Sequence, residues 1–191
     1  MADAPSKAGK LVVISGPSGT GKSTICRRLA ELDPGITISV SATTRPPRNG
    51  EQHGKDYYFI SRQEFEEKIK RGEFVEWAEY AGNLYGTLKS EVERGRRENS
   101  ALLMDIDVQG GAQVIKAYPD ALTIFLEPPS FEDLLSRLNK RGTDTPEAKR
   151  RRIEIATREM ERRGEYQYRV LNDDLESAVR RVYDIIKKSD A

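Results

Sequence analysis

Residues 10–23 read KLVVISGPSGTGKS, and no other stretch limits the fold so tightly. KLVVIS is a continuous apolar, β-branched run, the pattern of a strand covered on both faces. It leads directly into GPSGTGKS (16–23), a full match to G-x-x-x-x-G-K-[ST]. GKSTICRRLAEL follows, apolar at Ile25, Leu29 and Leu32 with helical spacing. A buried strand turning through glycines into a helix opens a βαβ unit, which implies a parallel sheet flanked by helices. The glycines let the backbone curl so that successive N–H groups face one anion at the positive end of the helix. Gly16, Pro17, Ser18, Gly19, Thr20, Gly21, Lys22, Ser23 and Thr24 are thus the expected nucleotide-phosphate site. Lys22 supplies a point charge to the β/γ-phosphates and Ser23 a hydroxyl to Mg²⁺.

Further apolar runs occur at 36–41 (ITISVS), 101–107 (ALLMDID) and 121–127 (ALTIFLE), the last two each followed by a helical pattern. Strands alternating with helices extend the α/β reading. Asp105 closes ALLMD, where a P-loop protein places the acid that helps hold Mg²⁺. The implied chemistry is phosphoryl transfer or nucleotide hydrolysis. Composition narrows the partners. With 32 Lys+Arg against 31 Asp+Glu, net charge is +1, so no unbalanced positive field exists for nucleic acid or a membrane surface. No apolar run has the length of a membrane span, and the start MADAPSKAGK lacks a signal-peptide core. The one cysteine, Cys26, excludes an internal disulfide and fits a reducing, cytoplasmic setting.

Residues 42–98 break the alternation. DYYFIS and EFVEWAEY read as half-exposed strands around a helix opened by a Ser61–Glu64 capping box. They predict an inserted subdomain with its own small sheet. Its loop TTRPPRNGEQHGKDYY holds Arg45 and Arg48 apart across two prolines, which limit where the guanidiniums can point. Two planar donor forks suit a dianionic phosphate monoester better than a carboxylate, and Tyr57 and Tyr85 could add hydroxyl donors. Beyond Pro129, Ser130 and Asp133 form a second capping pattern, and Thr145–Pro146 predicts the start of an arginine-rich helix running to about Gly164. Most of that charge is a solvated face. Arg137 and Arg141, four apart, share one helix side. The closing helix is apolar at Leu175, Val179, Val182 and Ile186.

VSATTRPPRNGEQHGKDYYF, EFVEWAEYAGNLYGT and LLMDIDVQG, with ISGPSGTGKST ahead and LNDDL behind, resemble the guanylate kinase family over the whole folded chain. The resemblance implies a three-layer P-loop core (10–41, 99–129 and 165–191) after an N-terminal arm (1–9). A GMP-binding subdomain (42–98) and a helical lid (130–164) would complete a single domain. It implies that Arg45, Arg48, Tyr57 and Tyr85 hold the GMP phosphate, and that Ser41, Glu76, Thr87 and Asp107 line the guanine site. Arg137, Arg141 and Arg152 would close over the transferring phosphoryl group beside Lys22, and Asn172 would lie near the adenine of ATP. ATP and GMP are the implied substrates, dGMP a further acceptor, Mg²⁺ the metal and a monomer or small homo-oligomer the assembly. The base assignment has its own chemistry: guanine presents N1–H and N2–H₂ donors to a carboxylate such as Glu76, whereas adenine lacks both. Two other readings are a phosphopeptide-binding module and a kinase with a ribose-phosphate acceptor. The intact Gly21, Lys22 and Ser23 argue against the first, and the set Ser41, Glu76 and Thr87 against the second.

Overall fold

Strand β1 (Lys10–Ser15) is buried along nearly its whole length because it has strands on both edges and helices on both faces. The computed structural model describes residues 8–80, 82–139 and 146–189. After β1 come α1 (Lys22–Leu32), β2 (Ile36–Ile38), β3 (Ala42–Thr43), β4 (Tyr58–Phe59), α2 (Arg62–Lys70), β5 (Phe74–Tyr80) and β6 (Asn83–Leu88). There follow α3 (Lys89–Glu98), β7 (Ala101–Asp105), α4 (Val108–Ala117), β8 (Leu122–Glu127), α5 (Phe131–Asn139) and α6 (Pro146–Glu161). A 3-10 turn at Arg162–Glu165, β9 (Tyr168–Leu171) and α7 (Leu175–Lys188) close the chain.

The core is an α/β three-layer arrangement. Its sheet, ordered β2-β7-β1-β8-β9, is parallel throughout. Period-2 alternation divides β1 between two cores. Val12 and Ile14 pack with Ile25, Cys26 and Leu29 of α1 and with Val179, Val182 and Ile186 of α7. Leu11 and Val13 point the other way, among Val92 of α3, Val108 and Val114 of α4, and Phe125. Each such side chain, removed fully from water, contributes about 1.5–3 kcal/mol. The order also sets the site. From β1 the chain crosses through α1 to β2 on one edge, and β7 and β8 take up positions on either side of β1. A crevice therefore opens at the carboxyl ends of β1 and β7, where open α/β sheets bind ligands.

A second, mixed sheet, ordered β4-β3-β6-β5, forms the insert. It has its own small core of Ala42, Phe65, Phe74 and Leu84, with the rings of Phe65 and Phe74 stacked at 4.3 Å. Ser61 caps α2 by accepting from the Glu64 N–H at 3.1 Å. Further along, α5 and α6 meet through buried Leu134 and Ala156. Ser130 accepts from the Asp133 N–H at 3.0 Å, as its pattern predicts, and α6 begins at Pro146. Thr145, its expected cap, lies outside the described residues.

Several local expectations differ from what forms. The run at 36–41 is strand only to Ile38. Ser39 donates a last bond to Leu103 at 2.8 Å, and the chain then leaves for the second sheet. Leu32, in phase with the apolar stripe of α1, is the last residue of the helix and is 57% exposed. Helix α3 buries Val92 in the core and lays Gly95 against Leu102, so the last element of 42–98 packs on the central sheet. At the N-terminus, Gly9 is already buried, donating to Arg96 O at 2.7 Å. Residues 1–7 of the expected arm lie outside the described residues.

Candidate active site

The loop after β1 needs its glycines. Gly16, Gly19 and Gly21 have φ of 140°, 91° and 91°, a region that side chains with a Cβ rarely enter. At Gly16 a Cβ would also stand 2.5 Å from the Leu126 carbonyl oxygen. Thr20 is buried and ties the loop to itself, its hydroxyl donating to Pro17 O at 2.8 Å. Asn172, buried at the end of β9, donates its amide to Thr20 O at 2.7 Å and lies against Gly21. Asn172, the residue expected near adenine, thereby also ties the end of β9 to the loop. Lys22 bends back over the loop, donating from Nζ to Gly16 O at 2.7 Å and Pro17 O at 3.1 Å. Ser23 Oγ donates to Asp105 Oδ2 at 2.5 Å, bringing two hard oxygen donors together at the ends of α1 and β7. That donor set suits a divalent cation of the Mg²⁺ type.

Across the crevice the insert brings a second group together. Glu76 on β5 is buried to 5% exposure, and its Oε1 accepts the Thr87 hydroxyl at 2.7 Å. Ser41 Oγ lies 3.3 Å from Thr87 Oγ1. The other carboxylate oxygen faces α4, where a Cβ on Gly110 would meet Glu76 Oε2 at 2.7 Å. Asp107 caps that same helix, accepting from the Gly110 N–H at 2.8 Å. Ser41, Thr87, Glu76 and Asp107 therefore form one continuous acceptor-rich wall. Burial pushes the Glu76 carboxyl up to about 7; the Thr87 hydroxyl opposes the rise and the Asp107 charge adds to it.

The opening of the insert supplies the cations. Glu51 holds Arg45 by a bidentate pair, Nη1 to Oε2 and Nη2 to Oε1, both at 2.9 Å, and also accepts the Arg48 N–H at 2.7 Å. Pro46 O takes a further Nη1 proton, and Tyr85 is a second side-chain partner of the guanidinium. Arg45 lies 5.5 Å from the Tyr57 ring centroid, and the Tyr57 and Tyr85 rings meet edge-on at 6.2 Å. Burial raises the Tyr57 hydroxyl pKa, with the charges of Tyr85 and Asp105 adding to it. It stays a neutral donor.

The profile described as guanylate kinase matches residues 8–189. The chain belongs to the guanylate kinase family. A guanylate kinase of Nostoc sp. is 45% identical over 92% of this chain and 88% of its own. One from Rubrobacter xylanophilus is 44% identical over 95% of each. The crystal structure of guanylate kinase from Anaplasma phagocytophilum superposes with a TM-score of 0.77 at 32% identity, covering 96% of this chain and 87% of that one.

Among the lid arginines expected from the guanylate kinase pattern, Arg137 reaches the phosphate loop, with Nη1 3.5 Å from Gly19 O. Arg141 lies outside the described residues, as does the side chain of Arg152. Three polar residues escaped the reading of the sequence. Glu51 stood in the quoted loop, three residues after Arg48, and its charge beside two arginines was the available signal. Glu159, two helical turns after Arg152, accepts from the Ser18 N–H, and burial raises its pKa. Its Oε2 is buried without a partner among the described residues. Gln113 on α4 grips the backbone of Trp77, accepting from its N–H at 3.2 Å and donating to its carbonyl at 2.9 Å. Nothing in the sequence marked that contact. Trp77 itself is 40% exposed.

Proposed function

We propose that this chain transfers the γ-phosphoryl group of ATP to GMP, forming ADP and GDP. The observation that carries this reading is the buried Glu76–Thr87–Ser41 wall with Asp107 beside it, facing the crevice that also holds the phosphate loop. An ionised Glu76 offers acceptor oxygens to guanine N1–H and N2–H₂, and adenine would leave them unpaired. Arg45, Arg48, Tyr57 and Tyr85 would hold the GMP phosphate, with Glu51 and Tyr85 fixing the Arg45 guanidinium in place. On the ATP side, Gly16, Pro17, Ser18, Gly19, Thr20, Gly21, Ser23 and Thr24 would cradle the phosphates, with Asn172 bracing them. Lys22 and the lid arginines Arg137, Arg141 and Arg152 would neutralise charge on the equatorial oxygens in flight. Ser23 and Asp105 would hold Mg²⁺, partly through water, and the metal would supply positive charge against the nucleotide phosphates.

The acceptor phosphate is already anionic at neutral pH, so the chain needs no general base; its task is alignment and charge neutralisation. Closure of a lid over 130–164 would keep water from taking the phosphoryl group. The core, the insert at 42–98 and this lid would then work as three parts of one domain. Among the described residues no helix is long and apolar enough to cross a membrane. A cytoplasmic enzyme, active also on dGMP and working as a monomer or small homo-oligomer, completes the reading.

A coupled ADP-release assay with MgATP and GMP, AMP, CMP, UMP or no acceptor tests it. Strong release with GMP alone is the expected result. Equal release without an acceptor would make the chain a hydrolase. A finer prediction concerns Gly110. Alanine normally favours a helix by about 1 kcal/mol over glycine, but here its Cβ would press on Glu76 Oε2 at 2.7 Å. Gly110→Ala is expected to raise KM for GMP roughly tenfold or more, since a 1 Å misplacement can cost about 10²-fold. KM for ATP should hold. Unchanged KM for GMP would separate Glu76 from the acceptor site.

A further inference from the structure

Glu91 stands in the first turn of α3, outside both groups of residues described above, yet it is buried to 5% exposure. Its Oε1 accepts the Val40 backbone N–H at 3.0 Å. Its Oε2 accepts the Tyr58 hydroxyl at 3.1 Å and an Arg94 guanidinium N–H at 2.7 Å. The backbone crosses between the two sheets twice, at Val40 and Ser41 between β2 and β3, and at Lys89 where β6 gives way to α3. Glu91 sits just past the second crossing, holds the first through Val40, and reaches β4 through Tyr58.

Burying a carboxylate is unfavourable unless its oxygens are satisfied, and an apolar side chain would fill the same space without that cost. A helix-surface pair with Arg94, itself half exposed, contributes little and needs neither Val40 nor Tyr58. What the carboxylate does here is gather donors from three separate segments at one point. From that point the path to the acceptor wall is short. Tyr58 N–H donates to Ser41 O at 2.9 Å, and Ser41 Oγ lies 3.3 Å from Thr87 Oγ1, which donates to Glu76.

We infer that Glu91 is a positioning residue that fixes the insert against the core, and with it the alignment of the acceptor phosphate on the phosphate loop. The inference rests on the GMP kinase reading. Loss of a residue that sets how two parts of a site are aligned often changes kcat and KM together. Glu91→Ala is expected to raise KM for GMP and lower kcat, each on the order of tenfold, with KM for ATP unchanged. Glu91→Gln keeps an acceptor oxygen for Val40 N–H and should recover part of both losses. Tyr58→Phe, which removes one donor only, should shift KM for GMP in the same direction by a smaller factor. Arg94→Ala should resemble the wild type.

Steady-state kinetics with GMP and ATP varied in turn, below the melting point of every variant, decide it. If Glu91→Ala folds poorly, Glu91→Gln and Tyr58→Phe carry the test. Wild-type kcat and KM in those variants would reduce Glu91 to a packing role, and so would equal rises in KM for ATP and GMP. A wild-type chain that fails to phosphorylate GMP would overturn the functional reading itself, and this inference with it.

Discussion

Glu76→Gln is expected to lower kcat/KM for GMP by roughly 10³-fold or more, because a site built around a specific hydrogen bond can reject a mismatched partner by about 10⁴-fold. The substitution keeps size and leaves one oxygen for the Thr87 hydroxyl at Oε1. It turns Oε2, the oxygen beside Gly110, into an N–H₂ donor, where guanine presents only donors along the edge in question. KM for ATP should be unaffected, and the ratio of GMP to AMP turnover should fall. A variant that kept wild-type selectivity would remove Glu76 from base recognition.

The same substitution should stabilise the folded chain at high pH. Burial lifts the Glu76 pKa from its ordinary 4.5 to about 7, so between those values the folded state binds more protons than the unfolded one. Stability falls with rising pH wherever that holds. Above pH 7 the ionised, buried carboxylate costs up to ~3 kcal/mol, at 1.36 kcal/mol per pKa unit. Glutamine removes this cost. Thermal melts should therefore show Glu76→Gln more stable than wild type at pH 8, with the gap closing below pH 4.5. Activity runs the other way: kcat/KM for GMP should rise through pH 7 as Glu76 becomes an acceptor. Phosphate monoesters ionise near pH 6, a step the variant retains, so the difference between the two profiles isolates Glu76.

Glu76 also shows where reading the sequence stops. EFVEWAEY alternates, and alternation alone makes Glu76 an exposed residue of a half-buried strand. It is buried because α4, from the other side of the insertion, lies over β5 and carries a glycine where any Cβ would collide with the carboxylate. Only the pattern shared with the family pointed to Glu76, Thr87 and Asp107. The phosphate loop needed no such help. Its strand, positive-φ glycines and helix are consecutive in the chain, so local chemistry carries the whole motif. Ser61 and Pro146 were readable for the same reason. Glu51, Gln113 and Glu91 differ in kind. Each acts through a backbone group or side chain that folding brings to it, and a surface charge or amide in the sequence looks the same whether or not such a partner arrives.

Lys22→Met should leave GMP binding nearly intact while cutting phosphoryl transfer on the order of 10³-fold or more, the scale seen when one cation is withdrawn from a phosphoryl-transfer site. Methionine keeps an unbranched stem but carries no charge. Lys22 is engaged with Gly16 O and Pro17 O, two neutral acceptors of its own loop. An anionic phosphate is a stronger partner for an ammonium group than a carbonyl, so ATP can draw the lysine off these bonds. Its charge is then free to follow the transferring group, and the carbonyls hold it near the site until then. Calorimetric titration with GMP should give a wild-type dissociation constant in Lys22→Met, whereas Glu76→Gln should lose GMP binding and keep that of ATP. Opposite defects of this kind would assign the two walls of the crevice to two nucleotides. If Lys22→Met retained wild-type turnover, the loop would bind phosphate without stabilising its transfer, and catalysis would have to rest on the arginines across the crevice.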